Sequence, residues 1–207
     1  MIGAANRGYN WRSAARYTRD VQFPLTALLG LAFALSEAAL GYFKRSRDDS
    51  VDADRRSLRL LWITNVLFVC AGIVASYRVP EAAIGAARPL FWIGTTLFGL
   101  GLALRWYSIW HLGRFFTVNV AIHSRHEIID TGPYRLIRHP SYTGALLAFL
   151  GLALCLDNWL SLALIVIPTL LAFGRRMNVE EHALSSALGT PYTSYMRRTK
   201  RLVPHVY

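Results

Sequence analysis

Two short stretches of the chain concentrate polar chemistry beside strongly apolar sequence. The first, TGPYRLIRHPSYTG at residues 131–144, holds Tyr134, Arg135, Arg138, His139 and Tyr142 among two glycines and two prolines. The second, RRMNVEE at residues 175–181, sets two arginines ahead of two carboxylates. Imidazole, phenol, guanidinium and carboxylate groups together can hold a polar, charged ligand by hydrogen bonds and opposite charge. Proline at position 140 suits the first turn of a helix and disfavours helical geometry at His139, which is expected at the N-terminal amide end of that helix. Arg176 and Glu180 are i,i+4 neighbours if a helix continues through them, and Arg175 can pair with either acid. Each feature has an ordinary alternative: arginines anchored on lipid phosphates, tyrosines in an interfacial belt, and surface ion pairs worth little.

The elements that must position these groups are apolar runs. Residues 21–43, 58–77 and 89–110 each provide about 20 residues, the length needed to cross a ~30 Å hydrocarbon core. The run at 142–173 is too long for one ordinary span and is broken by Asp157-Asn158, a turn-forming pair. Split there, it gives two pieces of about 15 residues, each short for a crossing and read as a tight helical hairpin. The expected fold is all-α and polytopic, with about five membrane helices. Residues 1–110 carry the first three with an Arg-rich leading segment, and 111–207 carry the loop, the hairpin and the tail. The hairpin brings the start of its first helix beside the end of its second, so His139, Tyr142, Arg176, Glu180 and Glu181 can share one site.

Hydrophobic residues make up 54% of the 207 positions, yet the formal charge is +11, and the two classes fall in separate blocks. That segregation belongs to a membrane protein. No helix shows the basic face with interleaved aromatics that nucleic-acid binding requires. The segments 44–59, 111–141 and the tail from 175 hold sixteen Lys and Arg and fall on one side of a five-helix arrangement; the other side holds six. The richer side is expected to be cytoplasmic. Residues 7–20 are polar and Arg-rich, expected as an interfacial segment rather than a cleavable signal. Cys70 and Cys155 lie in apolar runs without metal-ligand spacing and read as small buried hydrophobes.

The runs LGRFFTVNV and HEIIDTGPYRLIRHPSYTG, followed by RRMNVEEHALSSALGTPYTSYMRRTKRLVP, resemble the isoprenylcysteine carboxyl methyltransferase family of integral membrane methyltransferases, and share their C-terminal pattern with phospholipid N-methyltransferases. The resemblance covers about residues 112–204. It implies a pocket for S-adenosylmethionine in the C-terminal half, leaving S-adenosylhomocysteine as product. It implies cofactor contacts at His126, Ile128, Tyr134, His139, Tyr142 and Glu181. Arg176 matches an arginine that orients the nucleophile, with Arg175 the alternative register. Glu180 is the candidate to take a proton from an amine acceptor. No metal is implied.

The acceptor implied is lipophilic: a prenylcysteine carboxylate, a phospholipid amine, a small thiol or a quinone-like hydroxyl. Whether O-, N- or S-methylation occurs is left open, as is the oligomeric state. The Arg- and Ala-rich composition leans towards a bacterial inner membrane. Two rival functions are an NADPH-dependent membrane reductase of the sterol-reductase type and a non-catalytic lipid-binding protein. Glu37 and Arg105, ionisable residues inside apolar runs, are expected to pair, face the bundle interior or line a cavity. Phe115, Phe116 and Asn119 are candidates to border the cofactor pocket. Gly99-Leu100-Gly101 follows no strand and is no nucleotide loop.

Overall fold

A computed structural model describes residues 11–43, 52–113, 116 and 128–207, with side chains from position 24 on the first helix and from 56 on the second. Six α-helices follow in order: α1 Trp11–Phe43, α2 Asp52–Arg78, α3 Ala87–Leu112, α4 Pro140–Leu154, α5 Trp159–Leu188 and α6 Thr190–Arg198. Short 3-10 turns occupy Pro80–Ala82 and Gly132–Arg135. Among the described residues the only β contacts are two isolated bridges, Ala83 with Asn158 and Ile137 with Lys200.

Four helices, α1, α2, α3 and α5, contain segments long and apolar enough to cross a membrane. Their outward faces carry Leu28, Leu31 and Leu35 on α1, Ile63, Val66 and Leu67 on α2, and Leu170 and Leu171 on α5, all exposed. Exposed leucine in such rows suits lipid, not water. The chain is a multi-pass membrane protein. The fifth apolar helix, α4, has 15 residues and falls short of the spanning length, as its sequence indicated.

Two boundaries differ from the expectation. The piece after the break is a 30-residue helix, because Arg, Met, Glu, Ala and Leu favour helix and carry α5 from the apolar run through the charged cluster. The interfacial segment expected at 7–20 is, over its described part, continuous with α1, which runs through Pro24. The break itself falls where the turn pair predicts. Asp157 takes a positive φ of 48°, and the Asn158 side chain caps α5 by accepting from the Ser161 amide at 3.0 Å.

Helices α3 and α4 form the frame. Gly94 and Gly101 of α3 face Gly151 and Gly144 of α4, seven residues apart on each helix. A Cβ on Gly94 would lie 2.4 Å from the Gly151 carbonyl oxygen, and one on Gly101 2.5 Å from that of Gly144. Without side chains the two backbones touch, as small residues permit between membrane helices. Helix α2 packs on α5, where the Ser161 hydroxyl donates to the Gly72 carbonyl at 2.7 Å. Helix α1 leans on α3 and scarcely touches α2. The aromatic ring of Phe33 fills the space between α1 and Phe149 of α4, with centroids 4.7 Å apart.

Candidate active site

Pro140 starts α4, and His139 stands just before it at φ −123° and ψ 56°, outside helical geometry. The chain after α6 returns to brace this start. The Arg138 amide donates to the Lys200 carbonyl at 2.7 Å, the His139 amide to that of Arg201 at 3.0 Å, and the Thr143 hydroxyl to that of Leu202 at 2.9 Å. This strap satisfies backbone groups at the helix entrance and fixes where His139 points.

Behind that strap sits Glu181, buried on α5. Its Oε1 accepts from Arg138 Nε at 2.9 Å and meets His139 Nε2 at 3.0 Å. Its Oε2 accepts from Arg201 Nη2 at 2.6 Å and Nε at 3.1 Å. Arg138 also donates to the carbonyls of Met196 and Thr199. One carboxylate thus joins α4, α5 and the C-terminal strap.

Glu180 turns the other way, into a cavity of about 250 Å³. The Tyr142 hydroxyl donates to Glu180 Oε2 at 2.7 Å, and Arg176 bonds the same phenol. The rings of His139 and Tyr142 stack 5.3 Å apart at 10°. Arg176 is only 2% exposed and donates to the Ser57 hydroxyl of α2 at 2.8 Å, whereas Arg175 is exposed. Of the two arginines, Arg176 lines the cavity and Arg175 does not.

Tyr134 closes the polar end. Its hydroxyl donates to the Ser108 carbonyl at 3.3 Å, and its own carbonyl accepts from Tyr195 at 2.7 Å. Burial raises the Tyr134 and Tyr192 phenols well above the ordinary tyrosine range and pushes Tyr195 up to about 12. These phenols stay protonated near neutral pH and act as donors, not as bases. Away from this end the same cavity becomes apolar and runs between α1 and α2, past Phe33, Ala34, Leu61, Val69 and Phe149.

A family model described as phospholipid methyltransferase matches residues 89–190. The Arabidopsis thaliana protein-S-isoprenylcysteine O-methyltransferase B is 33% identical over 121 residues, which is 56% of this chain and 61% of the plant protein. The Saccharomyces cerevisiae protein-S-isoprenylcysteine O-methyltransferase is 30% identical over 140 residues, 65% of this chain and 59% of the yeast protein. A solved structure of the eukaryotic intramembrane Ras methyltransferase, isoprenylcysteine carboxyl methyltransferase, superposes with a TM-score of 0.59 at 27% identity, covering 70% of this chain and 52% of that one. The chain is similar in sequence and in fold to isoprenylcysteine carboxyl methyltransferases. It spans about three fifths of the length of the first curated relatives it matches. The family model runs from α3 to the start of α6, so it takes in the glycine-packed frame and the polar groups of the site from Arg105 to Glu181, and leaves out α1 and α2.

Of the residues that the isoprenylcysteine carboxyl methyltransferase resemblance singles out, Ile128, Tyr134, His139, Tyr142, Arg176 and Glu180 all line the one cavity. His126, Phe115 and Asn119 lie outside the described residues, while Phe116 borders the cavity. Glu181, expected as a cofactor contact, is not part of the cavity wall, because Arg138, His139 and Arg201 take up its carboxylate. Arg138, read as a lipid anchor, is instead a buried partner of that acid, whereas Arg135 is exposed. Cys70, expected as buried, is exposed on α2, where lipid takes the place of a core.

Residues not anticipated include Tyr192 and Tyr195 of α6, both on the cavity wall. Their spacing of three in GTPYTSY places them on one helix face, and that was the available signal. Tyr192 is 5% exposed, and among the described residues its hydroxyl meets no hydrogen-bond partner. A buried donor left open at a cavity wall is a place for a ligand acceptor. With the Glu180 carboxylate and the stacked His139–Tyr142 rings, the wall offers the mixed aromatic and polar surface that S-adenosylmethionine, with its adenine, amino-acid group and sulfonium, would fit.

Proposed function

We propose that the protein is an S-adenosylmethionine-dependent methyltransferase acting on a lipophilic acceptor held in the membrane. The observation that carries this reading is the continuity of the cavity. One end collects Tyr134, His139, Tyr142, Arg176, Glu180 and Tyr192, and the other is an apolar corridor between two helices that scarcely touch. A purely water-soluble substrate has no use for that corridor.

Bound S-adenosylmethionine supplies the electrophilic methyl group, so the protein's task is alignment and exclusion of water. His139, Tyr142 and Tyr192 hold and cover the cofactor end, with Glu180 as the carboxylate turned towards its polar groups. Glu181 acts one layer back and fixes the posture of His139. Arg176, held by Ser57 and bonded to Tyr142, is placed to orient an acceptor oxygen, nitrogen or sulfur. An amine acceptor must lose a proton, and Glu180 is the base on hand. In this reading residues 1–110 shape the acceptor corridor and 111–207 the cofactor end. The Lys and Arg excess supports a cytoplasmic cofactor end in a bacterial inner membrane.

The deciding experiment incubates the purified protein with methyl-labelled S-adenosylmethionine and separate prenylcysteine, phospholipid and lipid-extract fractions. Label recovered in an apolar product supports the reading and names the acceptor. Binding of NADPH with no binding of S-adenosylhomocysteine would overturn it.

A further inference from the structure

Two ionisable residues deep in the bundle have no part in the chemistry described so far. Glu37 of α1 and Arg105 of α3 form a two-pronged ion pair, Nε to Oε1 at 2.5 Å and Nη2 to Oε2 at 2.7 Å. Both are buried. The remaining nitrogen, Nη1, donates to the hydroxyl of Ser141 at 3.0 Å and to its carbonyl at 3.2 Å. Ser141 lies between Pro140 and Tyr142 in the first turn of α4.

Burying two charges is costly, and well-packed apolar side chains commonly hold helices together as firmly. Simple adhesion is therefore a poor account of this pair. Its location offers a better one. Glu37 belongs to the wall that α1 gives the apolar corridor, and Arg105 and Ser141 line the same cavity one step nearer the polar end. Helix α1 has few other polar ties to the frame, among them Trp106 Nε1 donating to the Ser36 hydroxyl at 2.8 Å. The guanidinium plane, gripped by Glu37 on one edge, is the only hydrogen-bonded side-chain bridge among the described residues between α1 and the helix start that carries His139 and Tyr142.

We propose that Glu37 and Arg105 are positioning residues: through Ser141 they hold the first turn of α4, and with it the His139–Tyr142 face, in cofactor-binding posture from α1. This rests on the methyltransferase reading above. The pair touches the corridor as well as Ser141, so it ties the helix lining the acceptor path to the helix presenting the cofactor. A guanidinium fork suits this task, because its planar donors fix direction and distance at once, which lysine cannot do.

The test is calorimetric titration of the detergent-solubilised full chain with S-adenosylhomocysteine, reading stoichiometry and Kd separately. Glu37→Gln, Arg105→Lys and Ser141→Ala are each expected to raise Kd by roughly five- to tenfold, within the ordinary span of coupling effects, at unchanged stoichiometry. The double variant Glu37→Gln with Ser141→Ala is expected to bind no worse than Glu37→Gln alone, since both cut one line of contact. A merely structural pair would lower stoichiometry and leave Kd at the wild-type value, and that result overturns the proposal. Additive losses in the double variant overturn it too, because they indicate separate direct contacts. Ser141→Ala keeps the ion pair whole, so it decides the matter if the charge variants do not fold. Failure of the wild-type protein to bind S-adenosylhomocysteine would instead sink the methyltransferase reading itself.

Discussion

Glu180 and Glu181 are chain neighbours on α5 whose carboxylates flank one imidazole, Glu181 Oε1 at 3.0 Å from His139 Nε2 and Glu180 Oε2 at 4.0 Å from Nδ1. Glu181 points back into the protein and meets Arg138, His139 and Arg201, while Glu180 points into the cavity and accepts from Tyr142. A helix advances about 100° per residue, so the two side chains leave α5 in different directions and pass on either side of the ring. Glu181 is enclosed by its partners, and Glu180 lines the cavity.

That division separates two variants. Glu181→Gln leaves buried guanidinium groups without their anion, a loss of about 3 kcal/mol or more. A lowered Tm together with lost cofactor binding is expected. Glu180→Gln should unfold at nearly the wild-type temperature, within about 0.5 kcal/mol, yet bind S-adenosylhomocysteine more weakly. Equal Tm losses for the two would contradict this division.

The two arginines of RRMN divide in the same manner. Arg176→Lys keeps the charge but loses the fork, and turnover is expected to fall by roughly 10²-fold with cofactor Kd nearly unchanged. Arg175→Ala is exposed and should retain wild-type kinetics. Methyl-transfer rates at saturating cofactor measure both.

The contact between α3 and α4 tolerates no added carbon. Gly101→Ala or Gly144→Ala places a Cβ near 2.5 Å from backbone oxygen, and a destabilisation of about 1–3 kcal/mol or more is expected. Gly99→Ala, which meets nothing within 4 Å, is the control and should leave Tm in detergent unchanged.

At alkaline pH the buried tyrosine of α6 becomes a stability sensor. Burial pushes Tyr195 up to about 12, so the folded protein keeps a proton that the unfolded chain releases near pH 10. This contribution is full below about pH 10 and is lost as pH rises towards 12. Tyr195→Phe is expected to be less stable at neutral pH, by about 1 kcal/mol for its bond to the Tyr134 carbonyl, and to show a shallower decline across that window. Identical slopes would speak against a buried, protonated phenol.

The local features of the molecule were legible in its residues. Apolar runs marked α1, α2 and α3, Pro140 marked the start of α4, and Asp157-Asn158 marked the break, because each acts through backbone geometry within a few positions. Long-range partners were not. Nothing in the spacing tells that Arg105 meets Glu37, 68 residues earlier, or that the carbonyls of Lys200 and Arg201 would return to the entrance of α4. The choice between Glu180 and Glu181, and between Arg175 and Arg176, depended on the rotation of α5 about its axis. Packing against α2 and α4 sets that rotation, and a charged helix end carries no apolar stripe to announce it.

The brevity of α4 has a further result for the depth of the site. Fifteen residues rise about 22 Å, some 8 Å less than an ordinary hydrocarbon core, and exposed Trp159 marks the level where the helix stops. Aromatic side chains of this kind settle at the head-group boundary. The α4–α5 turn stands level with the α2–α3 connection, where Ile84 and Ala86 donate to Asp157 and Ala83 bridges Asn158, so the missing length lies at the cofactor end, where Ser141 meets Arg105 seven residues before α3 stops at Leu112. The polar end of the cavity is thereby sunk below the level at which α3 ends, and its floor is protein, since no residue of α4 is exposed.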